Sequence, residues 1–316
     1  MPEDIHSMYR LSLVLLREDS ARDYLATLGL LRLFDLLWPA TEPHLEWDNV
    51  RGFPTIVTSR ELGVSWVEEL LLALQNLIKA PSPLVHGKII KTSRREFRAA
   101  VLQAVEFSMS PGPLSYLPVL LYGSYSSQNS SDEKDLQNGD VEPSRLSFAN
   151  GQSGKNLLLD VSELIAGLTP ELLRGCLEGT GCPTAGKSLR WNHAEFRPAA
   201  YRSHDPGAKT SGDEHLDHAA FNVLAFVGLS FYPTVPSSSG AGTLGFFGDA
   251  PDCFRWPIWS GSLNADEVAT LVHQPLYSEK VDPLMCIRAM GVIRAWKSRR
   301  FSSDKSLYFA PAELVF

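Results

Sequence analysis

The chain has 316 residues, 44% of them hydrophobic, enough to bury a substantial core in one large or two ordinary domains. Its net charge of −7 opposes a protein that coats nucleic acid over its whole surface, since phosphate affinity comes from clustered Lys and Arg. No apolar run approaches the roughly 18 to 20 residues needed to cross a bilayer, and the start, MPEDIH, lacks the basic and apolar regions of a secretory signal, so a cytoplasmic address is expected.

In chain order, the apolar run Leu11 to Leu16 suits a buried strand. Ser20, with Asp23 three residues later, reads as a capping box opening a helix through Leu37, which Trp38 and Pro39 end. A second strand is expected over Thr55 to Thr58. Ser65 and Glu68 form another box, leading into an apolar helix that stops before Pro81. A third box, Ser93 with Glu96, opens a helix carrying Phe97, Val101, Leu102 and Val105 on one stripe.

Residues 123–156 shift to Ser, Asn, Asp, Gln and Gly with little to bury, the composition of a flexible loop or linker. The expected organisation is therefore α+β in two loosely separated parts, 1–122 and 157–316, with no recognised superfold. In the second part Leu157 to Asp160 reads as a strand, Pro170 follows Thr169 at the start of a short helix, and His215 to Gly228 suits a buried helix. Asn264 with Glu267 caps one more helix, through about His273. The final thirty residues mix helical spacing (Ile287, Met290, Ile293, Trp296) with β-rich pieces such as Leu307 to Phe309, and both assignments stay open. Four cysteines, Cys176, Cys182, Cys253 and Cys286, contain no C-x-x-C pair and read as reduced thiols.

Two patterns raise catalysis. Gly181 to Ser188 matches G-x-x-x-x-G-K-[ST], in which Lys187 would reach phosphates and Ser188 magnesium. That loop needs a strand before it and a helix after it, and both flanks have the wrong pattern here. The best candidate for a magnesium-holding acid, Asp160, lies upstream. His204, Asp213, Glu214, His215, Asp217 and His218 are metal-ligand types, with His215 and His218 one helical turn apart; they compete with a solvated helix start. A P-loop NTPase and a metal-dependent hydrolase through His204, His215 and His218 are thus the alternatives to a non-catalytic chain that needs no cofactor.

Basic residues form three groups. They are Lys88, Lys91, Arg94, Arg95 and Arg98; Arg190, Arg197 and Arg202, interleaved with Trp191 and Tyr201 as stacking partners; and Arg294, Lys297, Arg299 and Arg300. Each is a candidate nucleic-acid contact or a solvated, ion-paired face. Phe231 to Pro236 and Phe254 to Trp259 are too proline-rich for central strands, and serve either core turns or an aromatic surface for a partner.

The order of these segments carries a resemblance. YLATLGLLRL from Tyr24 to Leu33, the Leu189-to-Arg202 segment, the Phe221 helix followed by PTVP from Pro233, WPIW from Trp256, and GVIRAWKSRR from Gly291 together resemble the small large-subunit-like proteins of type I-G (formerly type I-U) CRISPR surveillance complexes. The resemblance implies a place in an RNA-guided complex beside other effector subunits, with crRNA or target DNA as contacts through the basic patches. In such complexes guide pairing reads sequence while protein subunits hold strands and fix geometry.

Overall fold

In the computed structural model, residues 8–87, 93–127, 141–147, 157–185, 189–192, 216–237, 240–246, 252–274, 288–303 and 306–316 are described. Helix α1 (Ala21–Leu37) runs through the middle of the core. It is apolar on all sides, so no single face can satisfy it, and every residue from Ala21 to Phe34 is buried. Ser20 caps it by accepting the Asp23 N–H at 3.4 Å. Asp23 itself does not return the bond expected of a capping box; its carboxylate accepts from the Arg17 N–H and from Arg22.

Before α1, strand β1 (Tyr9–Ser12) pairs antiparallel with β3 (Pro54–Thr58), which also pairs with β2 (His44–Trp47) in a three-stranded sheet of order β1-β3-β2. Leu13 to Leu16, expected to continue the first strand, instead turn toward α1. Helix α2 (Trp66–Lys79) starts at Ser65, but the Ser65 hydroxyl donates to Glu69 rather than capping a backbone N–H. Helix α3 (Arg94–Ser108) has the full Ser93–Glu96 capping box. Its inward stripe is Phe97, Ala100, Val101 and Ala104; Leu102 and Val105, expected on that stripe, are 52% and 39% exposed because they project beside it. Helix α4 (Leu117–Tyr122) packs on α3 and leads to a short hairpin of β4 (Tyr125–Ser127) and β5 (Val141–Pro143).

Leu157 to Asp160 form no strand. They open helix α5 (Leu157–Gly167), because the apolar repeat continues through Val161, Leu164 and Ile165, a spacing that only a helix places on one side. Helix α6 (Pro170–Glu178) begins with Pro170 after the Thr169 cap. After it come the two-residue strands β6 (Thr184–Ala185) and β7 (Leu216–Asp217), then helix α7 (Ala219–Gly228) and the hairpin of β8 (Thr234–Ser237) and β9 (Gly240–Thr243). Strand β10 (Cys253–Trp259) precedes helix α8 (Ala265–Val272), which has the Asn264–Glu267 capping box. The C-terminal region resolves to strand: β11 (Val292–Ser303) and β12 (Ser306–Phe309) give a sheet of order β10-β11-β12, and β13 (Glu313–Leu314) also pairs with β11. Pro257 is tolerated because β10 lies at the sheet edge.

The fold is α+β, and the two expected parts share one core. Helices α1 and α7 cross at Gly29 and Gly228. A methyl group on Gly29 would overlap the Leu224 carbonyl and stand 2.8 Å from the Gly228 nitrogen, and one on Gly228 would overlap the Leu25 carbonyl. The aromatic segments are core as well. Tyr24 lies between Trp47 and Trp256, at 6.0 and 5.9 Å between ring centroids, and Trp47 meets Trp259 edge-on at 6.0 Å. The Trp256 indole donates to the Glu18 carbonyl at 2.8 Å and that of Trp259 to the Leu45 carbonyl at 3.3 Å. A boundary within 123–156 therefore does not separate two cores; buried residues before and after it form one apolar cluster.

Gly29→Ala is expected to lower unfolding free energy by about 3 kcal/mol, as overpacking between two immobile backbones does. Gly63→Ala, where nothing lies within 4 Å of an added methyl, stays within roughly 0.5 kcal/mol of the parent in the same urea titration. Equal midpoints for the two variants would show that the helices separate freely.

Candidate nucleic-acid interface

The first basic group divides. Lys88 and Lys91 lie outside the described residues. Arg95 and Arg98, on the first two turns of α3, are exposed and form no ion pair among the described residues. Arg94 is half-buried, and its Nε and one Nη are enclosed without a hydrogen-bond partner.

Strand β11 carries the third group. Successive strand residues alternate between faces, so Arg294, Trp296, Ser298 and Arg300 share one side and Lys297 and Arg299 the other. Arg294 donates to Glu18 at 2.7 Å and to the Asn49 carbonyl at 3.2 Å. Arg300 reaches Asp252 at 3.3 Å and the Arg145 carbonyl at 3.3 Å; burial, together with the nearby Arg145 charge, lowers its pKa while Asp252 opposes both. Lys297 pairs with Glu313 at 3.2 Å on an exposed surface, where such a pair is worth at most about 1 kcal/mol. Arg299 is exposed and makes no ion pair among the described residues.

From the second group, Arg190 comes to this same sheet. Its guanidinium stands 5.1 Å from the Tyr308 ring on β12, and burial lowers its pKa. The structure thus gathers Arg190 and the β11 cations on one sheet, while the α3 arginines sit on another element. Arg197, Tyr201 and Arg202 lie outside the described residues. Trp191 corrects the expectation of a stacking ring: it is fully buried, and its indole donates to the Leu146 carbonyl at 2.6 Å, so no base can reach its face. The flanking Leu189 and Asn192 are buried too, and the Asn192 amide donates to Asp217 at 3.4 Å.

Asp217 centres a buried polar network that spacing alone did not reveal. It accepts from Arg22, from Asn222 at 3.1 Å and from its neighbour's backbone, the His218 N–H, at 2.9 Å. Arg22 also holds Asp23 at 2.6 Å. Burial pulls the Arg22 pKa down, but the charges of Asp23 and Asp217 outweigh it and leave the guanidinium above its ordinary value; burial raises Asp23, against the pull of Arg22. The signal available in the sequence was charge inside an apolar helix, the Arg22-Asp23 pair, which must find partners when buried.

The same cluster brings Cys176 Sγ to 3.5 Å from His218 Nδ1. Burial pushes the thiol up to about 11, and burial followed by the Arg22 charge depresses His218. Both groups are neutral near pH 7, so the pair has no thiolate to attack with.

Among the described residues, the P-loop alternative has no strand leading into its loop. The segment feeding Gly181 is helix α6, ended by Gly179 in the left-handed region at φ 79°, and Leu189 to Asn192 form no helix. Gly181 has a packing reason: a side chain there would stand 2.8 Å from the Cys176 nitrogen. Asp160 is on α5, while Lys187 and Ser188 lie outside the described residues. Among the described residues no group of three or more His, Cys, Asp or Glu is placed to hold a metal. His218 is one of them; His204, Asp213, Glu214 and His215 lie outside them.

Native protein treated with a maleimide at pH 7 is expected to label exposed Cys182 well before Cys176. Comparable labelling rates, followed by peptide mass spectrometry, would show that the Cys176 pocket opens.

No protein-family model, curated protein or solved structure matches the chain.

Proposed function

We propose that this chain is a non-catalytic subunit of a type I-G-like CRISPR RNA-guided effector complex, contributing subunit assembly and local nucleic-acid contacts in antiviral defence, in the cytoplasm. The observation that carries the reading is a division of labour. The resembling segments from Tyr24, Phe221 and Trp256 are absorbed into one core, whereas Arg95, Arg98, Lys297 and Arg299 remain outside it. A chain so divided offers a rigid body with cationic points on its surface, which is what a strand-holding subunit requires. The helix before Gly181 sets this chain apart from the P-loop alternative in the same reading. No helix among the described residues is long and apolar enough to cross a membrane.

Co-expression with the products of adjacent genes and a guide RNA is the direct test, with co-elution in one large particle as the expected result. A chain that elutes alone both with and without guide RNA overturns the proposal. Within such a particle, Arg95→Glu with Arg98→Glu is expected to weaken oligonucleotide binding and to reduce the salt slope by about one for each phosphate that the variant no longer neutralises. An unchanged slope removes α3 from the interface.

A further inference from the structure

Strand β11 borders a surface cleft of about 450 Å³ that also lies against the turn before α1 and the β2–β3 turn. Its size falls in the roughly 300 to 1,000 Å³ range of small-ligand sites. We infer that this cleft takes one unpaired nucleotide of a single-stranded nucleic acid, with its phosphate at Arg17 and Arg51 and its base at Trp296. The inference deepens the proposed function and rests on it.

The cleft is built rather than incidental. The Asp48 carboxylate accepts the N–H groups of Val50 and Arg51 at 2.8 and 2.7 Å, which fixes the β2–β3 turn and the start of the Arg51 side chain. Gly52, at φ 72°, completes the turn, and its carbonyl accepts the Glu18 N–H at 3.0 Å. Arg17 is oriented by two bonds to Asp19, at 2.9 and 2.7 Å. Arg294 is held by Glu18 across the cleft wall. Trp296 lies directly opposite Trp256 in the β10–β11 register, so the two rings share a face of the sheet; Trp256 is fully buried, and half-buried Trp296 lines the cleft.

The chemistry of the lining selects the ligand class. Three guanidinium groups line the cleft beside the carboxylates of Glu18 and Asp19; Arg51, whose charge acts on Asp48 in the same turn, forms no direct ion pair among the described residues and can turn its guanidinium to a ligand. Guanidinium forks match phosphate oxygens, and an aromatic ring beside them accepts a base of any sequence. A duplex keeps its bases stacked inside and has none to offer Trp296, so the cleft favours a single strand.

The test is fluorescence anisotropy with labelled deca-thymidylate and deca-uridylate, run at two salt concentrations on the full chain. Arg51→Glu and Arg17→Glu are each expected to weaken binding roughly tenfold and lower the salt slope by about one. Trp296→Ala weakens it by a similar factor, while Trp296→Phe, which keeps a ring, retains most of the affinity. Thermal unfolding of each variant checks the fold, and the two arginine variants decide the matter if the tryptophan variant fails that check. Tighter binding of one strand identifies DNA or RNA as the ligand; equal binding supports the shared chemistry. No binding of either strand, unchanged affinity in both arginine variants, or equal affinity for a duplex of the same length overturns the inference. If the cleft variants behave as the parent yet still co-elute with the neighbouring gene products, the cleft falls and the subunit role stands.

Discussion

The contact on which the rest of the fold depends is the crossing of α1 and α7 at Gly29 and Gly228. Each glycine meets the backbone of the opposite helix, so the two axes approach as closely as main chains allow. Close approach brings the flanking side chains into register on both sides. Tyr24 and Tyr232 meet at 3.3 Å between hydroxyls, and the Arg32 guanidinium lies 4.2 Å from the centre of the Phe231 ring. The YLATLGLLRL segment is thus a packing code: its tyrosine, glycine and arginine each face a residue of the Phe221-to-Pro236 region. Neither segment has enough polar surface to be stable without the other.

At one end of that crossing lies the Arg22–Asp23–Asp217 network. Buried charges cost several kcal/mol each unless their remaining donors and acceptors are filled, and here two carboxylates, a guanidinium and the amides of Asn192 and Asn222 converge. The Arg22 guanidinium also stands 5.5 Å from the Phe221 ring. Asp217 belongs to β7 and Arg22 to the first turn of α1, so the network joins residues almost two hundred positions apart. Because a partly satisfied network is worse than an apolar core, this arrangement admits only one register of α7 on α1, which complements the steric selection made by the glycines. The Cys176–His218 pair is a by-product of the same burial: the desolvation that makes the ion pairs selective keeps thiol and imidazole neutral.

Local signals were the legible part of the sequence. Ser93 with Glu96 and Asn264 with Glu267 form complete capping boxes, and Thr169 before Pro170 caps α6, because these bonds span only three residues and need nothing from the rest of the chain. Non-local pairing was not legible. Leu157 to Asp160 has no local feature that separates a buried strand from a buried helix, and β11 became a strand because β10, well before it in the chain, offers it an edge. The aromatic segments were ambiguous for the same reason: Trp256 and Trp259 look alike whether they face Glu18 and Leu45 or a partner, and only the fold decides. Of the candidate contacts, the exposed Arg95, Arg98 and Arg299 kept their cationic surface, while Trp191 disappeared into the core. Arg17 and Arg51 carry no sequence signal because each is isolated along the chain, and only the β2–β3 turn brings them to one cleft.

Most of the cations of β11 are engaged within the chain. Arg294, Lys297 and Arg300 are each engaged by a carboxylate of the same chain, which orients them and offsets part of their field. Against a net charge of −7, the few cations left unengaged generate short-range attraction only, screened within about 10 Å at moderate salt. Since each phosphate contact adds about one unit to the salt dependence of binding, a handful of contacts would give the lone chain modest affinity for a nucleic acid. Under the proposed reading that is the useful regime. On that proposal the guide duplex would supply sequence discrimination and neighbouring subunits most of the electrostatic attraction, while this chain would restrict where a strand can lie without holding it tightly by itself.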